Sequence, residues 1–329
     1  MRFDDLQNAA DMSAEHLTNG AERAMLIQYK RALMEIDHQL SAAFRKYSEE
    51  GELTMGEMAK YGRMAKLQED IAREAVKLGG KQIRITDTAI TDIFTDGYFR
   101  AGHALEYGMN VKLGFSMIST EVIRKAVENP LDLIKWPNRT KDVIHTMNRQ
   151  IRDEIANGLI QGHGYAKISK AVKERMDIAA TKSLVIVRTE AHRVQVKARL
   201  DAFERVQGAA DELGVEIQNV WRSTLDSRTR PSHQYMDGQV ADKDGFFTLA
   251  GIKVTGPGQT GLASEDCNCR CGVVTEFKGE EPRQRSARDP KTGKSKLIPF
   301  QDYEEWAKDK EIKYPRTKKV RKIKRKEAA

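Results

Sequence analysis

Along the first two hundred residues, apolar side chains recur at steps of three and four. Leu26, Tyr29, Leu33, Ile36, Leu40, Ala43 and Tyr47 form a seam of about three heptads between Ala21 and Ser48, the pattern of a helix with one apolar stripe. A neighbouring helix of the same chain covers such a stripe most simply; a partner or a second copy is the alternative. "EEGELTMGE" breaks the pattern. A second helical stretch runs from about Met55 to Lys77, and "LGG" supplies glycine punctuation at its end. From Thr86 to Glu128 the pattern stays helical but carries several glycines, each costing a helix interior up to about 1 kcal/mol. Either helices approach closely there, or they are short and bent. After the proline-containing break "NPLDLIKWPNRT", three further helices are predicted: "TKDVIHTMNRQIRDEIANGLIQGHG", "YAKISKAVKERMDI" and "AATKSLVIVRTEAHRVQVKARLDAFERVQGAADELG". No strand pattern precedes Gly214.

Beyond Gly214 the period drops to two. "VEIQNVWRSTL" alternates and is β-branched, "FFTLAGIKVTG" reads as a strand or hairpin, and "CRCGVVTEFK" as a third strand. Long loops join them. The predicted fold class is therefore α+β: a mostly α-helical N-terminal body, a small C-terminal β-rich unit and a basic, partly disordered tail. The divisions fall at 1–140, 141–214, 215–278 and 279–329. Within the last of these, "PRQRSARDPKTGKSK" reads as disordered, "IPFQDYEEWAKDKEI" as a short docking segment, and "YPRTKKVRKIKRKEAA" as a polybasic end.

Composition sharpens this picture in two places. Hydrophobic residues make up 40% and charged residues 32%, and no apolar run approaches the roughly 20 residues that span a bilayer. The polar, acidic N-terminus lacks the apolar core of a signal peptide. The expectation is a soluble protein of the cytosol, with no membrane partner, where disulfides are rare. The net charge of +8 is concentrated: from Glu281 onward, 17 basic residues face 8 acidic ones. Lys318, Lys319, Arg321, Lys322, Lys324, Arg325 and Lys326 would bind phosphates of double-stranded DNA without sequence preference, or serve merely as a solubilising arm. No aromatic platform argues for base readout.

The candidate chemistry lies in the β-rich unit. "EDCNCRC" holds all three cysteines of the chain at alternate positions. On a strand, Cys267, Cys269 and Cys271 would share one face. Zinc takes four cysteine or histidine donors, so Cys267, Cys269 and Cys271 with His233 form one ligand set, in which Asp226 could replace a cysteine. A hydrogen-bonded corner of reduced thiols is the alternative. In "STLDSRTRPSH", Asp226 and His233 are an acid and a base, and Arg228 and Arg230 are anion binders, together the parts of a metal-assisted nuclease. The arginines can equally pair with Asp226 and fix the loop, and no catalytic residue is assigned. In "VRTEAHRVQ", Thr189 and Glu190 are predicted to bond to the β-rich unit, tying the long helix to the strand beginning at Val220.

Taken in order, "NGLIQGHGYAKISKAV", "VRTEAHRVQVKARL", "VWRSTLDSRTRPSH", "DGQ" and "NCRCGVV" resemble the Mu-F-like head morphogenesis family, minor capsid proteins of tailed bacteriophages. The likeness covers about 141–275. It rests on Thr189, Glu190, Trp221, Asp226, Arg228, Thr229, Arg230, His233, Cys269 and Cys271. Cys267 lies outside the family's cysteine pair, so Cys269, Cys271, His233 and Asp226 form a competing ligand set. The resemblance implies a structural, non-enzymatic minor head protein of the virion, acting in head morphogenesis and in DNA packaging or ejection. It implies a place at the portal vertex inside the capsid, assembly in the host cytoplasm, and portal, capsid and scaffold proteins as partners. The heptad seam adds self-association through the N-terminal helices as a further expectation.

Overall fold

The structure is a computed structural model that describes residues 2–49, 52–115, 118–128, 130–280, 282–289, 292 and 295–310. In chain order the helices are α1 (Phe3–Tyr47), α2 (Met55–Ala59), α3 (Arg63–Met109), α4 (Thr120–Val127), α5 (Trp136–Ile160) and α6 (Tyr165–Glu212). Strand β1 (Ile217–Arg222) precedes α7 (Pro231–Gln234), β2 (Phe247–Leu249), β3 (Ile252–Val254) and α8 (Ala263–Asp266). Then come β4 (Gly272–Phe277), β5 (Gln284–Arg288), β6 (Ser295–Pro299) and α9 (Tyr303–Asp309). The α+β class holds. Among the described residues, no helix is long and apolar enough to cross a membrane.

Two compact units divide the chain, and they are interleaved rather than consecutive. One comprises 19–89 and 134–187, the other 1–18, 90–133 and 188–329. The first is all helical. Its core joins Tyr29, Ile36, Leu40 and Phe44 of α1 to Leu67, Ile71 and Leu78 of α3, Ile144, Ile151 and Ile155 of α5, and Ile168, Val172 and Met176 of α6. The heptad seam therefore packs within the chain, although Leu26 remains exposed.

Two sequence expectations fail here for identifiable reasons, and one open alternative is decided. α3 runs straight through Gly79–Gly80 because no cap follows, and a side chain at Gly79 would lie 3.4 Å from Ile144 of α5. The glycine permits close helix packing rather than ending the helix. The glycines after Thr86 act alike: a Cβ at Gly102 or Gly108 would meet Phe115 or Phe277 at 2.5 and 2.4 Å. α6 is one helix, not two, because Ala179 and Ala180 are buried in mid-helix and no glycine or proline near them stops propagation.

The second unit carries the sheets. β1 and β4 pair antiparallel with Trp221 opposite Val273, β2 and β3 form a hairpin, and β5 pairs with β6. The segment expected to be disordered, 282–296, thus contains β5 and the start of β6. Arg285 is buried against Asp237 through two 2.9 Å contacts, and Ala287 bridges Leu225. α9 opens on a capping box between Asp302 and Glu305 and buries Tyr303, Trp306 and Ala307 around Leu225. The polybasic residues Lys318, Lys319, Arg321, Lys322, Lys324, Arg325 and Lys326 lie outside the described residues.

Candidate metal centre

The β1 strand ends at Arg222, and the chain then turns through the "STLDSRTRPSH" loop into α7, which presents His233. Asp226 shapes that loop. Its Oδ1 accepts from the Arg228 backbone N–H at 2.8 Å and from the Thr229 hydroxyl at 3.3 Å, an aspartate turn. Its Oδ2 pairs with the Arg270 guanidinium, and Arg228 lies 3.7 Å away. Asp226 is thus engaged on both oxygens and stands outside the cluster of His233, Cys269 and Cys271, and neither the ligand role nor the acid role expected of it is supported by this geometry. Arg228 is largely exposed, and Arg230 donates to the Cys267 carbonyl at 2.6 Å. These arginines do not converge on a substrate cleft; they hold the loop.

The strand expected to align three thiols is absent at Cys267, which instead caps α8. Asn268 then adopts φ +55°, and this turn sends the chain to Cys269 and Cys271. The structure brings together His233, Cys269 and Cys271, with their donor atoms all within 4.8 Å of one another, and leaves Cys267 out. Both sulfurs stand 3.5 Å from His233 Nδ1. A tetrahedral zinc with Zn–S of about 2.3 Å and Zn–N of about 2.0–2.1 Å separates sulfur from nitrogen by about 3.6 Å. The three side chains already stand at that spacing.

The other ring nitrogen is fixed as well. His233 Nε2 lies 3.0 Å from Glu265 Oε2, which also accepts from the Ser232 hydroxyl at 3.0 Å. A carboxylate on the far nitrogen is the usual outer partner of a metal-bound histidine. Trp221 closes one side, its ring edge-on to His233 at 5.5 Å and to Phe247 at 5.5 Å. With Val196, Met236, Leu249 and Val273 it makes the corner apolar.

Charge follows from this packing. Burial opposes a proton on His233, but the Cys271 thiolate and Glu265 carboxylate outweigh it and raise the pKa from 6.5 to about 9. The Cys269 hydrogen bond, followed by His233, holds Cys271 well below the usual thiol range, against burial. Burial, then the adjacent Cys271 thiolate, drives Cys269 well above it. One thiolate beside one imidazolium is a prepared donor set, since metal displaces the remaining protons.

Helix α6 braces the corner. The Thr189 hydroxyl accepts from the Asn268 N–H at 3.3 Å, linking the helix to the cysteine loop rather than to the strand at Val220. Glu190 is buried and paired with Arg193 at 2.9 Å, and Arg193 donates to the Gly258 carbonyl at 3.1 Å. Sequence reasoning passed over His192 between them, and also Glu265 and Asp266. The carboxylates adjoin the first cysteine, which was a readable signal. Asp266 is buried and accepts from Thr260 and Gly261, pinning the loop before α8.

Residues 149–274 match the family described as Phage Mu protein F like protein. The chain is 32% identical over 306 residues to Minor head protein GP7 of Bacillus phage SPP1, covering 92% of this chain and 97% of that protein. It is also 31% identical over 214 residues to NAD(+)–arginine ADP-ribosyltransferase EFV of Enterococcus faecalis (strain ATCC 700802 / V583). That alignment covers 65% of this chain but 42% of the enzyme. No solved structure matches.

Proposed function

The chain belongs to the Mu F-like family of phage head proteins, and on that premise we propose that it works at the portal vertex inside the capsid, on the portal and on packaged DNA. Its role is that of a minor head protein in head morphogenesis, structural rather than enzymatic. Likeness to a minor head protein over nearly that protein's whole length carries this reading. In it, the helical unit docks on the portal. Ile27 and Met34, seven residues apart on α1, and Val76 of α3 are exposed apolar residues there, and they are the side chains this reading assigns to the contact. The polybasic end binds DNA phosphates without sequence preference during packaging or ejection. The corner of His233, Cys269 and Cys271 holds a structural zinc that staples a β-unit too small to supply much core of its own.

Two measurements test the reading. Co-expressed with its phage's portal protein, the full chain should co-purify with it, and Ile27→Asp with Met34→Asp should abolish that. Retention of the complex by a folded double variant would remove this docking face. Deleting 311–329 should weaken binding to mixed-sequence duplex DNA and flatten its dependence on salt. An unchanged salt slope would show that the tail does not carry DNA binding.

A further inference from the structure

The three-donor corner lacks the fourth ligand that a closed structural zinc site requires, and the Nε2 of a histidine on α6, which packs against the Gly258 loop, has no hydrogen-bond partner. His192 Nε2 is buried without a hydrogen bond, a costly state for a polar atom unless something fills it. Its position on α6 is informative. Thr189 and Arg193, three residues before it and one after, reach the two loops that frame the corner, at Asn268 and Gly258. Positions three and four apart on a helix share a face, so His192 shares the face that meets those loops. Gly258 sits against its ring: a Cβ there would lie 3.1 Å from Cδ2 and 3.4 Å from Nε2. Gly258 has φ +73°, a conformation that favours glycine, and the missing side chain leaves the imidazole room to turn.

We infer that His192 is the fourth donor and that the zinc site is His192, His233, Cys269 and Cys271. The inference rests on the zinc reading above and adds to it the link between α6 and the cysteine loop. His192 stands outside the three-atom cluster, so coordination by all four side chains requires its ring to be turned inward from the Gly258 side. Two thiolates and two neutral imidazoles leave a dipositive ion electrically balanced, which suits an apolar corner walled by Trp221. With all four positions filled by protein, no open position remains for water, and the ion holds structure rather than performing hydrolysis.

X-ray absorption at the zinc edge tests this on the full chain, reduced and loaded with zinc alone. The wild type should show two sulfur and two imidazole neighbours. His192→Ala should show one imidazole and bind zinc at least tenfold more weakly, and His192→Cys should show three sulfurs and one imidazole. A wild-type site with one imidazole, or a His192→Ala site that keeps two, would overturn the assignment while leaving the zinc reading intact. A reduced protein that takes up no zinc would overturn both.

Discussion

Replacing Arg285 with alanine should destabilise the protein by about 3–5 kcal/mol, the usual consequence of stranding one partner of a buried ion pair. Arg285 and Asp237 have side chains 6% and 4% exposed. The guanidinium also donates to the carbonyls of Gln301 at 3.0 Å and Ser223 at 2.6 Å. Asp237 in turn accepts from the N–H groups of Ser223 and Tyr303, at 2.7 and 2.8 Å. One pair therefore joins β1, β5 and the start of α9. Without Arg285, the Asp237 charge keeps two backbone donors but loses its counter-ion in a site that water does not reach. The loss is a large share of the about 5–15 kcal/mol that holds a domain together. Urea unfolding measures it, and hydrogen exchange locates it: amides of β5 and of Tyr303 should lose protection before those of α5. Replacing both partners, as Arg285→Met with Asp237→Leu, should cost much less, because no charge is left behind. A loss under about 1 kcal/mol for Arg285→Ala, with β5 still protected, would show that the pair is not the anchor.

The titration of His233 gives a second test. Its raised pKa means that it stabilises metal-free, reduced protein fully below pH 6.5, and that this contribution disappears as pH rises towards about 9. Nuclear magnetic resonance should find the imidazole titrating near pH 9, and a midpoint at or below 6.5 would mean that Cys271 and Glu265 do not face it as charged groups. In the helical unit, Ile151 is fully buried on α5, and Ile151→Ala should cost about 2–5 kcal/mol by denaturant unfolding through transfer and cavity terms; a change under about 1 kcal/mol would show that the α1, α3 and α5 stripes do not meet at that point.

Much of the fold was legible because its strongest signals are periodic. The seam of α1, the amphipathic α5 and the alternation of β1 and β4 each state which face is buried, and the structure buries those faces. Where the reading went wrong, a local rule met a tertiary reason invisible in one dimension. Glycine ends many helices, but here Gly79 lets Ile144 approach α3. Basic, proline-bearing sequence after Glu281 lacks an apolar stripe of its own. Its order comes instead from Asp237, 48 residues upstream of Arg285, and from Leu225, which receives Tyr303 and Trp306. The interleaved units have the same origin, since no local signal marks where one long helix changes its packing partners.

The site was legible as a residue set but not as a geometry. Histidine and alternating cysteines marked the candidate donors, and only the turn at Asn268 decides which cysteines come together with His233. That turn also separates chemistry from architecture in the shared motif. Asp226 is occupied by Arg270 and by its own loop, Thr189 by Asn268, and Glu190 by Arg193. Tyr303 donates to the Asp226 carbonyl at 2.8 Å, so α9 closes over the same loop. A nuclease would need the carboxylate and imidazole free and facing a cleft that phosphate can enter. Here the carboxylate is bound on both oxygens, and the imidazole is held between Glu265 and two sulfurs in a corner lined by Trp221. The same polar residues that suggested catalysis thus fix one loop between β1 and the cysteines, and that rigidity is what an assembly protein requires of them.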